Sequence, residues 1–284
     1  MSVLSAPPKG IESGTLDVGG GVQLYWEACG AGRPVVFVHG LWGSSRFFRR
    51  QLAAVGAHHR AIAFDLRGHG RSSMTAEGHT VPTLAADLRA VLRGLEVERP
   101  IVVGWSMGAF VAWDYHLKYG RDDIAGLVVV DQAPTDYRYP GMEDALIGIA
   151  ELRDWTRAVI DNRNDFMKFV LPLMFHAVPP PEELDWMWGE MCRTPALIAA
   201  AIFIDQSLRD YRSMISGYDV PTLVCSGKMS AQPRSGALFL RDTLPQGELL
   251  TFENSGHCLF WEEADLFNEA LLSFIKRIAI EGSA

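Results

Sequence analysis

Gly104-Trp105-Ser106-Met107-Gly108 follows the apolar run Ile-Val-Val and precedes AFVAWDYHLKY, which has the composition of a helix. A serine with glycines two residues before and two after it suits a sharp turn from strand into helix. The glycines let neighbouring backbone approach without a Cβ in the way. Such a turn lifts the Ser106 hydroxyl above a sheet and leaves the next N–H groups free at the helix start, facing a site where negative charge develops. That chemistry is nucleophilic attack on a carbonyl. The pentapeptide alone also arises by chance, and the strand before it and helix after it are what raise it above that.

A second loop, Val38-His39-Gly40-Leu41-Trp42-Gly43-Ser44, follows the apolar run PVVFV. A loop in this place supplies the other half of an oxyanion hole. The N–H of Leu41 and that of Met107 are the expected donors. His39 reads better as a structural residue whose ring hydrogen-bonds backbone than as a catalytic one.

A serine hydroxyl needs a base to take its proton. Of the eight histidines, His257 has the right setting. It stands in Phe252-Glu253-Asn254-Ser255-Gly256-His257-Cys258, after the last strand-like run and before the last helix-like segment. Loops at the carboxyl ends of parallel strands converge on one crevice, so the distance in sequence from Ser106 is no obstacle. His58 and His59 precede a strand together, His69 lies in a glycine-rich turn, and His79, His116 and His176 have no supporting pattern.

The elements needed to hold these loops are legible. VQLYWEA (22–28) alternates as a half-buried strand does. PVVFV (34–38), AIAFD (61–65), IVVG (101–104), LVVVD (127–131), TLVCS (222–226) and LLTFE (249–253) are apolar runs suited to strands covered on both faces. Helical patterns fall at 45–55, 83–94, 107–119, 234–243 and 262–278. The alternation predicts an α/β chain: a mostly parallel twisted sheet with helices on both faces. It breaks once, over 134–215, where several helices and no strand are expected. The expected organisation is a core of residues 1–133 and 216–284 with a helical cap inserted at 134–215.

Composition limits the function. The chain has 284 residues, 48% apolar and 21% charged, with a net charge of -8. That balance is ordinary for a globular protein and argues against a nucleic-acid partner. Cys29, Cys192, Cys225 and Cys258 form no C-x-x-C pair. MSVLSAPPKGIESG lacks a signal-peptide core, and no apolar stretch is long enough for a bilayer span. The default expectation is a soluble cytoplasmic protein with no membrane partner. Without an H-E-x-x-H, Walker or dinucleotide motif, no metal or cofactor is expected. Polar DLRGHGRSS reads as a turn that Asp65 and Arg67 tie to its neighbours, ahead of a phosphate site.

Taken together, HGLWGSS (39–45), DLRGHGRSS (65–73), GWSMG (104–108) and SGH (255–257) resemble the α/β-hydrolase superfamily. Within it the chain is most similar to the cap-bearing esterases often labelled non-haem chloroperoxidase-like. The resemblance implies a Ser-His-acid triad. In most members the acid follows the strand written here as TLVCS, at or next to Ser230. The stretch SGKMSAQP (226–233) holds no carboxylate. Some members carry the acid after the preceding strand, where LVVVDQAP places Asp131. Neighbouring strands lie about 5 Å apart, so an acid from either end reaches the same imidazole. Asp131 is therefore the expected acid, with Asp136 and Glu253 as weaker candidates and an Asx-type turn as its structural alternative.

The expected activity is hydrolysis of a small carboxylic ester or lactone through an acyl-enzyme. Trp42, Trp105, Phe110 and Trp186 are the expected substrate-binding residues, which favours an apolar or aromatic small molecule. The resemblance also implies two alternatives on the same scaffold: a cofactor-independent dioxygenase of heteroaromatics, and a lyase. A ligand receptor built on the scaffold is a third.

Overall fold

The computed structural model describes residues 10–120 and 123–281. Eight strands form one sheet in the order β1-β2-β4-β3-β5-β6-β7-β8. They are β1 (Glu12–Asp17), β2 (Gln23–Cys29), β3 (Pro34–Val38), β4 (Arg60–Phe64), β5 (Ile101–Trp105), β6 (Gly126–Val130), β7 (Thr222–Gly227) and β8 (Gly247–Phe252). β1 and β2 run antiparallel at one edge; β4, β3, β5, β6, β7 and β8 are mutually parallel. The parallel strands β3, β5 and β6 are buried almost throughout, as their unbroken apolar runs require.

Alternate side chains serve two cores. Phe37, Ala63, Val103, Trp105, Val130 and Cys225 face one, which takes in α1 (Arg49–Gly56) and α10 (Ala264–Glu281). Val36, Ile62, Val102, Val129 and Val224 face the other, with α2 (Val81–Gly94), α3 (Met107–Tyr119) and α8 (Arg234–Thr243). The chain is thus an α/β protein with helices on both sides of the sheet. The short α9 (Leu259–Glu262) precedes α10.

Four α-helices and no strand lie between β6 and β7: α4 (Ile149–Asp161), α5 (Arg163–Leu173), α6 (Pro181–Cys192) and α7 (Ala196–Ser207). α4 packs on α7 and α5 on α6. The chain leaves and re-enters the sheet at one place: Thr135 bridges Asp210, and the Tyr211 N–H donates to the Pro134 carbonyl at 3.0 Å. The buried Met167, Leu171, Met187, Met191, Ala199 and Phe203 of these helices join the first core, so they close over the sheet end that carries the loops.

One strand lay outside the expectations. β1, ESGTLD, is largely exposed and carries Leu16 as its only large apolar residue, so it offers no apolar periodicity. Pairing with β2 supplies its order. The expected absence of a leader falls on residues 1–9, outside the described residues. Among the described residues no single helix is long and apolar enough to cross a membrane.

Candidate active site

Ser106 sits between β5 and α3 at φ 52° and ψ -123°, a backbone combination that favours glycine and costs about 1–3 kcal/mol in any other residue. Its neighbours hold it there. A Cβ on Gly104 would stand 2.5 Å from the Gly108 carbonyl oxygen, and one on Gly108 would strike the Val38 carbonyl. A Cβ on Gly40 would meet the Ser106 Cβ at 3.0 Å, so the loop after β3 lies directly against the serine. That loop turns sharply: the Gly43 N–H donates to the Gly40 carbonyl at 3.0 Å, with Trp42 at φ 62°. Leu41 stands within this turn and Met107 opens α3. The first N–H groups of a helix have no partner within it, which leaves them for a ligand.

His39 is fully buried and structural. Its Nδ1 lies 2.8 Å from the Gly40 carbonyl, and its Nε2 accepts the Leu66 N–H at 3.0 Å. Burial lowers its pKa to about 4, so the ring is neutral with its proton on Nδ1. It braces the loop from behind. The DLRGHGRSS turn is tied as its sequence implies. Asp65 accepts the N–H groups of Ser45 at 2.6 Å and Arg71 at 2.7 Å, and Arg67 pairs with Asp87 through two bonds.

His257 follows β8. Its Nδ1 lies 2.7 Å from Oδ2 of Asp131, whose side chain is wholly buried. Asp131 is the first residue after β6, at φ 49°, a left-handed conformation that Asp tolerates better than most residues. Its Oδ1 accepts the Gly227 N–H at 2.9 Å, and its Oδ2 also accepts the Ser230 hydroxyl at 2.5 Å. Ser230, the position where the resemblance places the acid of most relatives, thus donates to the acid from the neighbouring strand. The other two carboxylates are engaged elsewhere. Glu253 pairs with Lys228 at the surface. Asp136 is buried and accepts the side-chain amides of Gln132, Gln206 and Gln232. Burial raises its pKa, and those amides offset part of the rise.

Trp105 joins the serine to the histidine. It precedes Ser106, its indole N–H donates to the His257 carbonyl at 3.1 Å, and its ring centre lies 5.5 Å from the imidazole. The Ser106 loop and the His257 loop are therefore in contact. The helical segment between β6 and β7 reaches the same loop. Glu262 accepts the N–H groups of His176 and Ala177, which follow α5, through one oxygen, and the Gly256 N–H through the other. Nothing in the sequence marks Glu262 for this, because it bonds backbone of a segment far away in the chain.

The four expected pocket aromatics separate. Trp42 packs against Phe166 of α5 and Phe203 of α7, and its indole donates to the Ala199 carbonyl. Trp186 of α6 packs on Phe47 and Trp261, with the guanidinium groups of Arg46 and Arg49 over its ring. Phe47 in turn packs on Trp105. Phe110 is a correction. It points into the second core, against Trp113 and Tyr211, because α3 lies on the opposite side of the sheet from the Trp105 ring. A surface groove of about 720 Å³ near His79, Asp205 and Tyr211 contains none of the residues of this site.

Comparison with known proteins bears on this arrangement. Residues 35–270 match the alpha/beta hydrolase family. The chain is 28% identical to the AB hydrolase superfamily protein YisY of Bacillus subtilis, over 89% of this chain and 95% of that protein. Among solved structures it is similar to an esterase from Exiguobacterium antarcticum, with 26% identity and a TM-score of 0.87, covering 90% of this chain and 96% of that one. It is also similar to a bromoperoxidase from Bacillus anthracis, with 27% identity and a TM-score of 0.89, covering 93% and 100%. With its mostly parallel sheet, its serine on a strained strand-to-helix turn and these matches, the chain belongs to the alpha/beta hydrolase family.

Proposed function

We propose that the protein hydrolyses a small-molecule carboxylic ester or lactone through an acyl-enzyme on Ser106. The reading is supported by one observation: the buried Asp131 carboxylate lies against Nδ1 of His257, whose carbonyl accepts the indole N–H of Trp105, the residue before Ser106. The carboxylate fixes the imidazole with its proton on Nδ1, so that Nε2 is bare and can act as base. His257 takes the Ser106 proton as the oxygen attacks the carbonyl. The N–H groups of Leu41 and Met107 stabilise the resulting oxyanion. His257 then returns the proton to the departing alcohol oxygen, and Asp131 stabilises the transient imidazolium. Water, activated by the same imidazole, releases the acid. Trp42 and the cap residues around it would form the apolar wall of the substrate site.

The test is a panel of p-nitrophenyl esters and lactones with Ser106→Ala as control. The expected result is turnover that falls by several orders of magnitude in a variant with unchanged circular dichroism. Equal rates in the two proteins would overturn the reading.

The similarity to a bromoperoxidase supports a second outcome of the same acyl-enzyme. Hydrogen peroxide attacking in place of water gives a peracid and free Ser106, and the peracid oxidises halide in solution. Halide oxidation that needs both peroxide and a carboxylic acid would identify it. The dioxygenase and lyase alternatives would show instead as oxygen uptake, or as carbon–carbon cleavage, without covalent capture of Ser106.

A further inference from the structure

Arg163, the first residue of α5, is only 8% exposed. Its Nη2 donates to the Met191 carbonyl, while Nε and Nη1 are buried without a partner among the described residues. Its Cζ stands 4.9 Å from the centre of the Trp42 ring. No carboxylate of the described residues neutralises it. Nearby Glu190 pairs with Arg46, and Asp165 takes the Asn162 amide. Among the described residues, only the thiol of Cys192 acts to raise its pKa.

A buried cation without an anion is costly, by several kcal/mol even after relaxation. Burial pulls the pKa of Arg163 down to about 10, which still leaves it charged at neutral pH. The charge is felt at His69, whose own pKa burial drives to about 3, so that imidazole is neutral and supplies no counter-charge. The position of Arg163 relates it to the chemistry. The aromatic platform beneath it is Trp42, two residues after the glycine that lies against Ser106, and beside the proposed donor Leu41. The guanidinium therefore occupies the seam between the cap and the oxyanion loop. The guanidinium fork matches the paired oxygens of a carboxylate, and an aromatic face favours its stacking.

We propose that Arg163, seated on Trp42, receives a carboxylate carried by the substrate, so that the ester or lactone cleaved here is an acidic one. The proposal rests on the hydrolase reading of the same site and narrows it to substrates with a second, free acid group. The anion that the protein lacks arrives with the substrate and orients its carbonyl toward Ser106. Without substrate, the unpaired charge is tolerated at a cost to stability.

Two measurements test it. The first compares mono-p-nitrophenyl glutarate with p-nitrophenyl valerate, an uncharged ester of the same length. Wild type should favour the acidic ester by about tenfold or more in kcat/KM, mainly through KM, and Arg163→Met should lose that preference. The second follows thermal unfolding with and without glutarate, with glutaramide and sodium chloride as controls. Glutarate alone should raise the wild-type Tm, and Arg163→Met should show no rise. Without ligand the variant should melt no lower than wild type, because an apolar side chain replaces an unpaired buried charge. Unchanged selectivity in Arg163→Met, a Tm that rises equally with chloride, or a variant that melts lower and still responds to glutarate would each overturn the proposal. If wild type cleaves neither ester, the hydrolase reading fails, and the glutarate arm still decides whether Arg163 binds carboxylate.

Discussion

Replacing Asp131 by asparagine changes one atom and should remove most of the activity. The Asp131 Oδ1 accepts the Gly227 N–H at 2.9 Å, while Oδ2 accepts both the Ser230 hydroxyl and the His257 Nδ1–H. An amide that keeps its oxygen on Gly227 presents an NH₂ group to the other two. The Ser230 hydroxyl can rotate and accept. The imidazole can accept only by moving its proton to Nε2, and in that form it cannot take a proton from Ser106. The same substitution in serine proteases lowers kcat about 10⁴-fold, equivalent to about 5.5 kcal/mol of transition-state stabilisation. A similar loss is expected in initial rates of p-nitrophenyl ester hydrolysis, with circular dichroism and Tm confirming the fold. The structure adds a rescue. Ser230 and His257 touch the same carboxylate oxygen, so a carboxylate at 230, longer than the hydroxyl it replaces, reaches the imidazole from the β7 side. Asp131→Asn with Ser230→Asp should recover about 100-fold over Asp131→Asn alone. A single variant within about tenfold of wild type would refute the role of Asp131. A folded double variant no faster than the single one would refute the claim that either strand end serves the same histidine.

Further outcomes follow from the same geometry. Ser106→Gly should abolish ester hydrolysis and raise Tm by about 2–4 °C, since glycine relieves the φ 52° strain; a lower Tm would contradict that strain. Glu262→Ala releases His176, Ala177 and Gly256 together and should lower kcat about tenfold, with amide exchange rising in the His257 loop; protected amides and normal kcat would contradict the latch. His39 and His69, lowered by burial to about 4 and 3, stay neutral in the folded chain while the unfolded chain protonates near 6.5. Their stabilisation is complete above that pH. It falls as pH drops toward 4, by up to about 1.4 kcal/mol per pH unit for each ring, so urea midpoints should decline steeply from pH 7 to 4.5. A flat profile would contradict the buried neutral rings.

What the sequence reveals and what it hides divide along physical lines. β3, β5 and β6 are read from unbroken apolar runs because strands covered on both faces leave no other pattern. α3 spans Met107–Tyr119, matching the helical pattern read over 107–119 directly after the serine turn. Ser106 and Asp131 each follow such a run directly and His257 lies in the loop after β8, so the topology rule carries them toward one crevice. β1 escapes because its order comes from β2 rather than from its own residues. Phe110 misleads because nearness to Ser106 in sequence says nothing of which side of the sheet a helix covers. Glu262 and Arg163 are invisible for a related reason: one is defined by backbone N–H groups it accepts from a distant segment, the other by the absence of a carboxylate partner among the described residues.

The central claim, that a hydroxyl at position 106 becomes a nucleophile through the His257–Asp131 pair, is tested most directly by covalent capture. A fluorophosphonate probe reacts with an activated serine and spares an ordinary one. Intact-mass analysis should show a single adduct per chain, peptide mapping should place it on Ser106, and His257→Ala and Asp131→Asn should suppress the labelling rate. An adduct on another residue, or Ser106 labelled equally fast without His257, would contradict the account.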